Sequence, residues 1–361
     1  PENDIDTIKI RKKKFSELIS KLDEGFIAEV KEVVKLTPTI VEVIIKAPFA
    51  ANKFLPGQFY RLQNYETNAV NKSGTVLTME GLAMTGAWVE KEKGLLSIIA
   101  LEIGASSRLM EHLKVGERVV LMGPTGAPTH IPEGETVLLA GGGLGNAVLF
   151  SIADAVKKKG CKVIYFAGYK NSADIYKMDK IESGTDQIVW CNDIGEKIIP
   201  GRKQDLTFKG NIVEAMSAYA EGKFENRMFD FKEVNRLIVI GSDRMMKAVK
   251  DARHTILKNY LNEHIAIGSI NSPMQCMMKE ICAQCLQKHI DPVTGNESFV
   301  FSCFNQDQLL DEVDFDNLNS RLKANSVLEK LSNVFLTHLL NENKKIEFIF
   351  HEKSESIMEG H

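Results

Sequence analysis

The spacing of apolar residues changes near residue 130, and this change constrains the fold more than any other feature. Before it, short runs rich in β-branched residues alternate apolar with polar positions, separated by turns such as Pro56-Gly57. After it, continuous apolar runs alternate with stretches at helical spacing. The first pattern is typical of a small antiparallel barrel, and the second of a parallel sheet covered by helices. The sequence therefore predicts a β + α/β chain, with the barrel over residues 26–130 and the parallel-sheet domain over 131–265.

The same patterns predict the individual elements. The predicted barrel strands are residues 26–30, 39–45, 58–63, 95–101 and 118–122, and the predicted parallel strands are residues 136–140, 162–167, 187–190 and 236–241. An amphipathic helix is predicted over residues 12–24, ended by Gly25, within an N-terminal helical extension of residues 1–25. In the C-terminal helical extension, residues 311–361, Ser326 and Glu329 form a capping-box pattern. The apolar face of that last helix comprises Val327, Leu328, Leu331, Val334, Phe335 and Leu339.

Charge and composition narrow the class of partner. The 361 residues carry a formal net charge of −3, which argues against a nucleic-acid partner. No apolar stretch has the length needed to cross a bilayer, and the start of the chain lacks the pattern of a secretory signal. A cytoplasmic location is therefore predicted. Because the first residue is Pro1 and not methionine, we expect the chain to begin inside a longer polypeptide.

Four of the six cysteines lie close together in the sequence. Cys276, Cys282 and Cys285 are separated by five and two residues, and Cys303 follows 17 residues later. Three close thiolates and one distant one are the arrangement in which plant-type ferredoxins hold a [2Fe–2S] cluster. The first gap is one residue longer than usual, and the loop between the first two cysteines has no glycine. The sequence predicts a cluster-binding segment over residues 266–310.

A structural zinc ion is the alternative occupant of these four thiolates. Zinc also takes four cysteines, but its sites usually combine two short knuckles, and only Cys282–Cys285 is one here. Four free thiols are the third interpretation. The remaining Cys161 and Cys191 are predicted to be core residues, and His289 is predicted to be a surface residue beside the cluster loop.

Three turns contain glycine in settings suited to a phosphate. Gly141, Gly142, Gly143 and Gly145 follow a buried strand and open a helix, where bare backbone amides can approach a nucleotide. Gly104, Ser106 and Ser107, followed by Arg108, offer two hydroxyls and a cation at a helix start. Gly241 and Ser242 follow the last parallel strand, at the edge where open α/β sheets bind ligands. Each turn is equally compatible with an ordinary strand-to-helix connection or helix cap.

Taken in chain order, these pieces resemble the ferredoxin–NADP reductase superfamily, and within it the electron-transfer subunits of bacterial dihydroorotate dehydrogenase. The resemblance covers about residues 26–305. Its motifs are Gly57-Gln58-Phe59 for the flavin strand, Gly104–Arg108 for the flavin diphosphate, Gly123-Pro124-x-Gly126 at the barrel end, Gly141–Gly145 for the nucleotide, and Gly241 with Met245. Ser242 stands where the family's last motif has proline.

One position departs from the family pattern. The strand of the family that binds the diphosphate carries an arginine three residues before a serine or threonine. The corresponding stretch here, Leu82-Ala83-Met84-Thr85, keeps Thr85 and has no arginine. Arg61, on the preceding predicted strand, is the candidate replacement.

The resemblance implies a flavin-dependent oxidoreductase module with FAD, NAD(P)H and a [2Fe–2S] cluster. Hydride would pass between the nicotinamide and the flavin, and the flavin would give single electrons to the cluster, so no catalytic side chain is expected. The resemblance also implies a redox partner subunit or a fused flavoprotein domain, as in relatives similar to the glutamate synthase small subunit. The alternative is a flavin-less scaffold or regulatory subunit with structural zinc. A small-molecule-binding barrel without a redox role leaves the cysteines unexplained.

Overall fold

The computed structural model describes residues 2–270, 274–276, 278–279, 281–324 and 326–341. Its first large unit is a closed six-stranded antiparallel barrel, as predicted, with strand order β1-β2-β7-β6-β3-β8. The barrel strands are β1 (Ala28–Thr37), β2 (Ile40–Lys46), β3 (Phe59–Asn64), β6 (Leu82–Glu90), β7 (Leu95–Leu101) and β8 (Arg118–Thr125). Strand β6 was not among the strands predicted from alternation, because residues 81–85 are all half-buried and give no two-sided pattern.

Short elements decorate the barrel. One short helix precedes β3, a two-stranded hairpin follows it, and a second short helix follows β7. They are β4 (Asn71–Lys72), β5 (Thr75–Val76), α2 (Pro48–Lys53) and α3 (Ala105–Arg108). The hairpin connects the neighbouring strands β3 and β6, whereas α2 and α3 lie in connections between strands that are not neighbours, and Ala50 and Ala51 of α2 belong to the barrel's core cluster.

The N-terminal helix α1 (Glu2–Phe26) is longer than predicted and continues past Gly25. A glycine in a helix costs only about 1 kcal/mol relative to alanine, so one glycine does not have to end it. Its apolar side chains are exposed; Phe15, for example, is 64% exposed. At its end Phe26 stacks on Phe49 of α2 with ring centroids 4.7 Å apart, which joins the helix to the barrel.

The second unit is a seven-stranded sheet of order β12-β11-β10-β9-β13-β14-β17. Six strands are parallel, and β17 pairs antiparallel with β14. The strands are β9 (Thr136–Gly142), β10 (Lys162–Asn171), β11 (Gln187–Ile194), β12 (Leu206–Lys209), β13 (Arg236–Ile240), β14 (Ile265–Ser269) and β17 (Asp307–Leu309). The helices are α4 (Gly145–Lys158), α5 (Met178–Ser183), α6 (Ile212–Ala220) and α7 (Asp243–His254). The predicted parallel-sheet unit is confirmed.

The strand order reverses between β9 and β13. From β9 the chain proceeds outward through β10, β11 and β12, and then returns to place β13 and β14 on the other side of β9. Open α/β sheets bind ligands outside the carboxyl ends of their strands at such a reversal, because the connecting helices diverge there and leave a crevice. The residues that follow β9 and β13 therefore border the principal crevice of this unit.

The C-terminal part returns to both units. Strands β15 (Leu286–Ile290) and β16 (Glu297–Phe301) form a hairpin, and helices α8 (Phe315–Ala324) and α9 (Ser326–Leu340) follow. The predicted apolar face of α9 is mostly exposed; Leu328, for example, is 68% exposed. Of the six predicted residues only Leu339 is buried, and Leu336, which the predicted face does not include, is buried as well. The Ser326 side chain of the predicted capping box lies outside the described residues.

A buried carboxylate joins the barrel to the sheet unit. Glu42 of β2 is completely buried and accepts hydrogen bonds from Trp88 Nε1 at 2.8 Å and Ser97 Oγ at 2.7 Å. Its other oxygen lies 2.9 Å from Lys177 Nζ, on the loop before α5. Lys180 of α5 lies over the Trp88 ring at 5.1 Å. The two units therefore share a charged, desolvated contact that fixes their relative position.

No helix in the described part of the chain combines the length and the hydropathy needed to cross a bilayer.

Candidate cofactor sites at the junction of barrel, sheet and cysteine loop

The predicted nucleotide turn lies at the reversal of strand order. Gly141 and Gly142 end β9, and Gly145 opens α4. Gly143 adopts a left-handed backbone (φ +54°), and a β-carbon there would meet nothing within 4 Å. The turn is held from behind, because the Gly143 amide donates to Gly168 O of β10 at 2.8 Å. The outer side of the turn is thus open backbone, the surface that a phosphate or ribose can approach.

Close packing accounts for three of the predicted glycines. A β-carbon at Gly145 would lie 2.3 Å from Ile240 O, so only glycine lets α4 approach β13 this closely. A β-carbon at Gly142 would lie 2.4 Å from Met245 Sδ, and one at Gly241 would lie 2.3 Å from the same sulfur. Met245 therefore fills the space between the two strand ends and forms the floor of the crevice.

Ser242 has a structural role in this arrangement. Its hydroxyl accepts a hydrogen bond from the Met245 amide at 3.2 Å and caps α7. This is the ordinary helix-cap interpretation that the sequence left open. The cap also fixes the backbone of Met245, whose side chain lies over Gly142 and Gly241.

Asn146 supports the turn, a role that motif reading did not assign to it. Its side chain is fully buried and donates to Gly143 O at 2.9 Å and to Gly168 O at 3.3 Å. Its carbonyl oxygen accepts from the Tyr165 hydroxyl at 2.9 Å. Burial raises the pKa of Tyr165 well above its ordinary value, so the hydroxyl stays protonated and remains a donor. An asparagine directly after the glycines was the only indication of this role in the sequence.

The predicted flavin strand begins with a turn that only glycine can make. Gly57 has φ +87°, and a β-carbon there would lie 2.2 Å from Thr129 Oγ1. The Gln58 side chain donates to Gly126 O at 2.8 Å and accepts from the Leu55 amide at 3.0 Å, which ties β3 to the end of β8. Phe59 is buried. Gly57 makes the turn, Gln58 bonds the end of β8, and Phe59 packs in the interior, so together they shape the edge of the barrel.

Arg61 and Thr85 lie on the neighbouring strands β3 and β6. Thr85 pairs with Phe59, and Arg61 pairs with Ala83 across the same ladder. The Arg61 guanidinium lies against Gly81, where a β-carbon would be 1.9 Å from Arg61 Nε. That Nε is buried and has no hydrogen-bond partner among the described residues. Arg61 therefore places a cation with an unpaired N–H beside β6. That strand contains Leu82–Thr85, where the family has an arginine and this chain has none.

The predicted diphosphate turn, by contrast, is covered. Ser106 Oγ accepts from the Glu80 amide at 3.0 Å, and Ser107 Oγ bonds the backbone of Gly104. Arg108 Nη1 donates to the Asn333 carbonyl at 3.0 Å, on the C-terminal helix. The polar side chains of this turn thus all have partners within the protein.

The cysteine segment packs directly on the barrel edge. Cys285 and Cys303 are buried in a small apolar cluster with Phe59, and Ala83 packs against it. Met278 Sδ accepts a hydrogen bond from the Gly126 amide at 3.0 Å. Met277 and Glu280 of the glycine-free loop lie outside the described residues. The fold thus brings the predicted metal ligands against the strands predicted to hold a flavin.

The four thiols lie near one another. All six cysteines of the chain are free thiols. The Cys276 thiol interacts with that of Cys282, and the Cys303 thiol interacts with those of both Cys285 and Cys276. Among the described residues no three histidine, cysteine, aspartate or glutamate side chains surround one common point as a metal site would require.

The first and last cysteines of this set, Cys276 and Cys303, have different electrostatic surroundings. Backbone amides of Cys282 and then Ile281 donate to the Cys276 sulfur and lower its pKa to about 7. Burial, followed by the neighbouring Cys285 thiol, raises the pKa of Cys303 to about 12. Amides directed at a sulfur stabilise its thiolate, the form that binds metal. The loop therefore supplies by backbone conformation the donors that glycines supply in plant-type ferredoxins.

Two other predictions in this region have clear outcomes. Cys161 and Cys191 are buried core residues, as predicted. The prediction that His289 is a surface residue is wrong. It is 5% exposed, and its ring nitrogens bond Gln308 Oε1 at 2.7 Å and Glu312 Oε2 at 3.1 Å. The hairpin carrying it folds back onto β17, a tertiary contact that its local sequence does not indicate.

No family model matches the sequence. Over 329 residues, 91% of this chain, it is 31% identical to an uncharacterised protein of Rickettsia prowazekii, and it spans only 36% of that relative's length. It is 24% identical over 306 residues to the dihydroorotate dehydrogenase B (NAD(+)) electron-transfer subunit homologue of Thermotoga maritima, covering 84% of this chain and 93% of the relative.

Among solved structures, this fold matches one chain of an NADH-dependent reduced ferredoxin–NADP oxidoreductase, described in a study of flavin-based electron bifurcation. The TM-score is 0.67 at 23% sequence identity, with 86% of this chain and 98% of the other covered. At this identity the match establishes the fold. The chain thus has the ferredoxin–NADP reductase-like fold, and it resembles the electron-transfer subunits of dihydroorotate dehydrogenase B along most of its length.

Proposed function

We propose that this protein is an electron-transfer oxidoreductase module that takes reducing equivalents from NADH through FAD to a [2Fe–2S] cluster and on to a partner subunit. The cysteine loop carries this proposal, because it packs on the barrel edge at Phe59 and Ala83, beside the strands assigned to the flavin. When bound, the flavin accepts a hydride from the nicotinamide and releases single electrons.

The chain's own residues position these groups. The open backbone at Gly143, supported by Asn146, receives the nucleotide at the reversal of strand order. Arg61 offers its unsatisfied Nε to the flavin phosphates beside Thr85. Cys276, Cys282, Cys285 and Cys303 would hold the cluster. The buried Glu42–Lys177 contact fixes the barrel against the sheet unit, so that the two bound cofactors keep one relative position.

Two features of the relatives shape the remainder of the proposal. The Thermotoga maritima relative is named for NAD(+) and for electron transfer within dihydroorotate dehydrogenase B, so we choose NADH as donor and a catalytic flavoprotein subunit as partner. The Rickettsia prowazekii relative is about two and a half times as long as this chain, which favours a fused partner domain as the other form of the same arrangement. A zinc-bearing, flavin-less scaffold remains the rival function.

The absorption spectrum of anaerobically purified protein tests the proposal. We expect flavin bands with broad iron–sulfur absorption, bleached by NADH and more slowly by NADPH. Cys282→Ser should remove the iron and its absorption while flavin reduction by NADH persists. Cys161→Ser is the matched control, since Cys161 donates to Pro132 O at 3.3 Å far from the cluster, and serine preserves that bond. A colourless protein with stoichiometric zinc would establish the rival function.

A further inference from the structure

The C-terminal helix α9 lies across the predicted diphosphate turn and takes up its cation. Arg108 Nη1 donates to Asn333 O at 3.0 Å, to Asn333 Oδ1 at 3.3 Å and to Thr337 Oγ1 at 3.0 Å. All three acceptors belong to α9, on successive turns of one helix face. The guanidinium of the turn is therefore turned toward the helix.

The same helix covers the glycine of the turn. A β-carbon at Gly104 would lie 2.7 Å from Glu329 Oε2, so the carboxylate stands directly beside that backbone. Asn333 Nδ2 also donates to Ile103 O, one residue earlier. A carboxylate at this position places a negative charge where a phosphate would have to come, and two anions at short distance repel.

Apolar contacts hold α9 in this position through a narrow face. Leu336 and Leu339 are 4% and 6% exposed and belong to the barrel's core cluster. Nearer the start of the helix, Leu328 and Leu331 are 68% and 61% exposed. Two buried leucines and one cation hold the helix weakly. Detaching it therefore costs less free energy than detaching a helix that is buried along its whole length.

Resting on the proposed flavin function, we propose that α9 is an autoinhibitory strap over the flavin-diphosphate turn. While docked, it engages Arg108 and sets Glu329 against incoming phosphate, so it lowers the affinity for FAD. Binding of the diphosphate displaces the helix, because the Glu329 carboxylate beside Gly104 stands where the phosphate would come and the two anions repel. A flavin lid is the opposite arrangement, in which α9 closes over bound FAD and raises its affinity.

Titration of the full-length apoprotein with FAD, followed by flavin fluorescence, separates these arrangements. The variant Asn333→Ala with Thr337→Ala removes the two side-chain acceptors of Arg108 and keeps the backbone carbonyl of residue 333, and Ser332→Ala, at an exposed position of the same helix, is the matched control. We expect the double variant to bind FAD at least tenfold more tightly and the control to match wild type. Riboflavin, which lacks phosphate, should bind both variants and wild type alike.

Each other outcome decides against the strap. Weaker FAD binding by the double variant establishes a lid, and equal FAD binding in all three proteins removes any role for α9 while leaving the flavin function intact. Equal tightening for riboflavin places the effect away from the diphosphate turn. If no protein binds FAD, the proposed flavin function fails and the strap with it. As an independent readout, FAD should accelerate amide hydrogen exchange in residues 327–340 of wild type, and unchanged exchange overturns displacement.

Discussion

Two glycine turns with the same predicted task are covered very differently. At Gly141–Gly145 the outer side is open, with nothing within 4 Å of a β-carbon built on Gly143. At Gly104–Arg108 the cation bonds a helix 225 residues further along the chain. Both turns meet the local requirements for a phosphate, yet only one is exposed. A local motif specifies backbone geometry, whereas access depends on what the rest of the chain places over it.

Removal of the contact between the two units should cause the largest loss in the free energy of unfolding. Glu42→Ala leaves Lys177 and the half-buried Trp88 indole without their acceptor, and breaking a buried charged contact costs about 3–5 kcal/mol. Because Lys177 is 25% exposed in its side chain, we expect the lower end of that range. Urea unfolding followed by tryptophan fluorescence measures the loss. Glu32→Ala, an exposed residue on β1, is the control, and an equal loss in both variants would contradict a joining role.

The two glycines of the open turn should respond differently to alanine. Gly145→Ala places a β-carbon 2.3 Å from Ile240 O, and overpacking of this kind costs roughly 1–3 kcal/mol or more. Gly143→Ala meets no neighbour and bears only the left-handed backbone, about 1–2 kcal/mol. Thermal unfolding of both variants measures the difference. If Gly143→Ala were the more damaging, the turn would not be open on its outer side.

The covered turn should loosen when its cation is removed. Arg108→Ala deletes hydrogen bonds from a charged donor to Asn333 and Thr337, each worth about 1.5–3 kcal/mol at most, and the effect should be local to α9. Amide hydrogen exchange should therefore speed up in α9 and stay unchanged in α4. Arg118→Ala, an exposed arginine of β8, is the control. Exchange that rises equally in α4 and α9 would show that Arg108 supports the whole fold.

The smallest expected change in stability concerns the buried carboxylate of Asp307, at the start of β17. Burial raises the pKa of Asp307, and the nearby hydroxyls of Thr129 and Ser269 oppose this only in part. The folded state therefore holds this proton more tightly than the unfolded chain does. Its contribution to stability is complete below the unfolded pKa, about 3.9, and is lost as pH rises through the folded pKa.

Asp307→Asn should remove that loss. Stability measured from pH 4 to 7 should fall less steeply in the variant, by about 1.4 kcal/mol for each unit of pKa difference. Urea midpoints across this range provide the measurement, with Asp193→Asn, an exposed aspartate, as control. An unchanged slope would mean that Asp307 does not titrate in this range.

Local patterns predicted much of this molecule. Alternation predicted β1, β2, β3, β7 and β8, and continuous apolar runs predicted the central strands of the parallel sheet. Strand β6 was missed because its first half is half-buried on both sides. Gly25 did not end α1, and the predicted apolar stripe of α9 is exposed except at Leu339. In both helices a periodic pattern identified the helix correctly but could not indicate which side meets the protein.

The site shows the same division. Residue spacing placed four cysteines in one segment and glycines at two strand ends, since neighbouring residues along the chain must remain neighbours in space. Only the tertiary structure set Cys285 and Cys303 against Phe59, bonded Asn146 to Gly168, and laid α9 across Arg108. These contacts join segments far apart in sequence. Their stability comes from burial and desolvation, which no single segment determines alone.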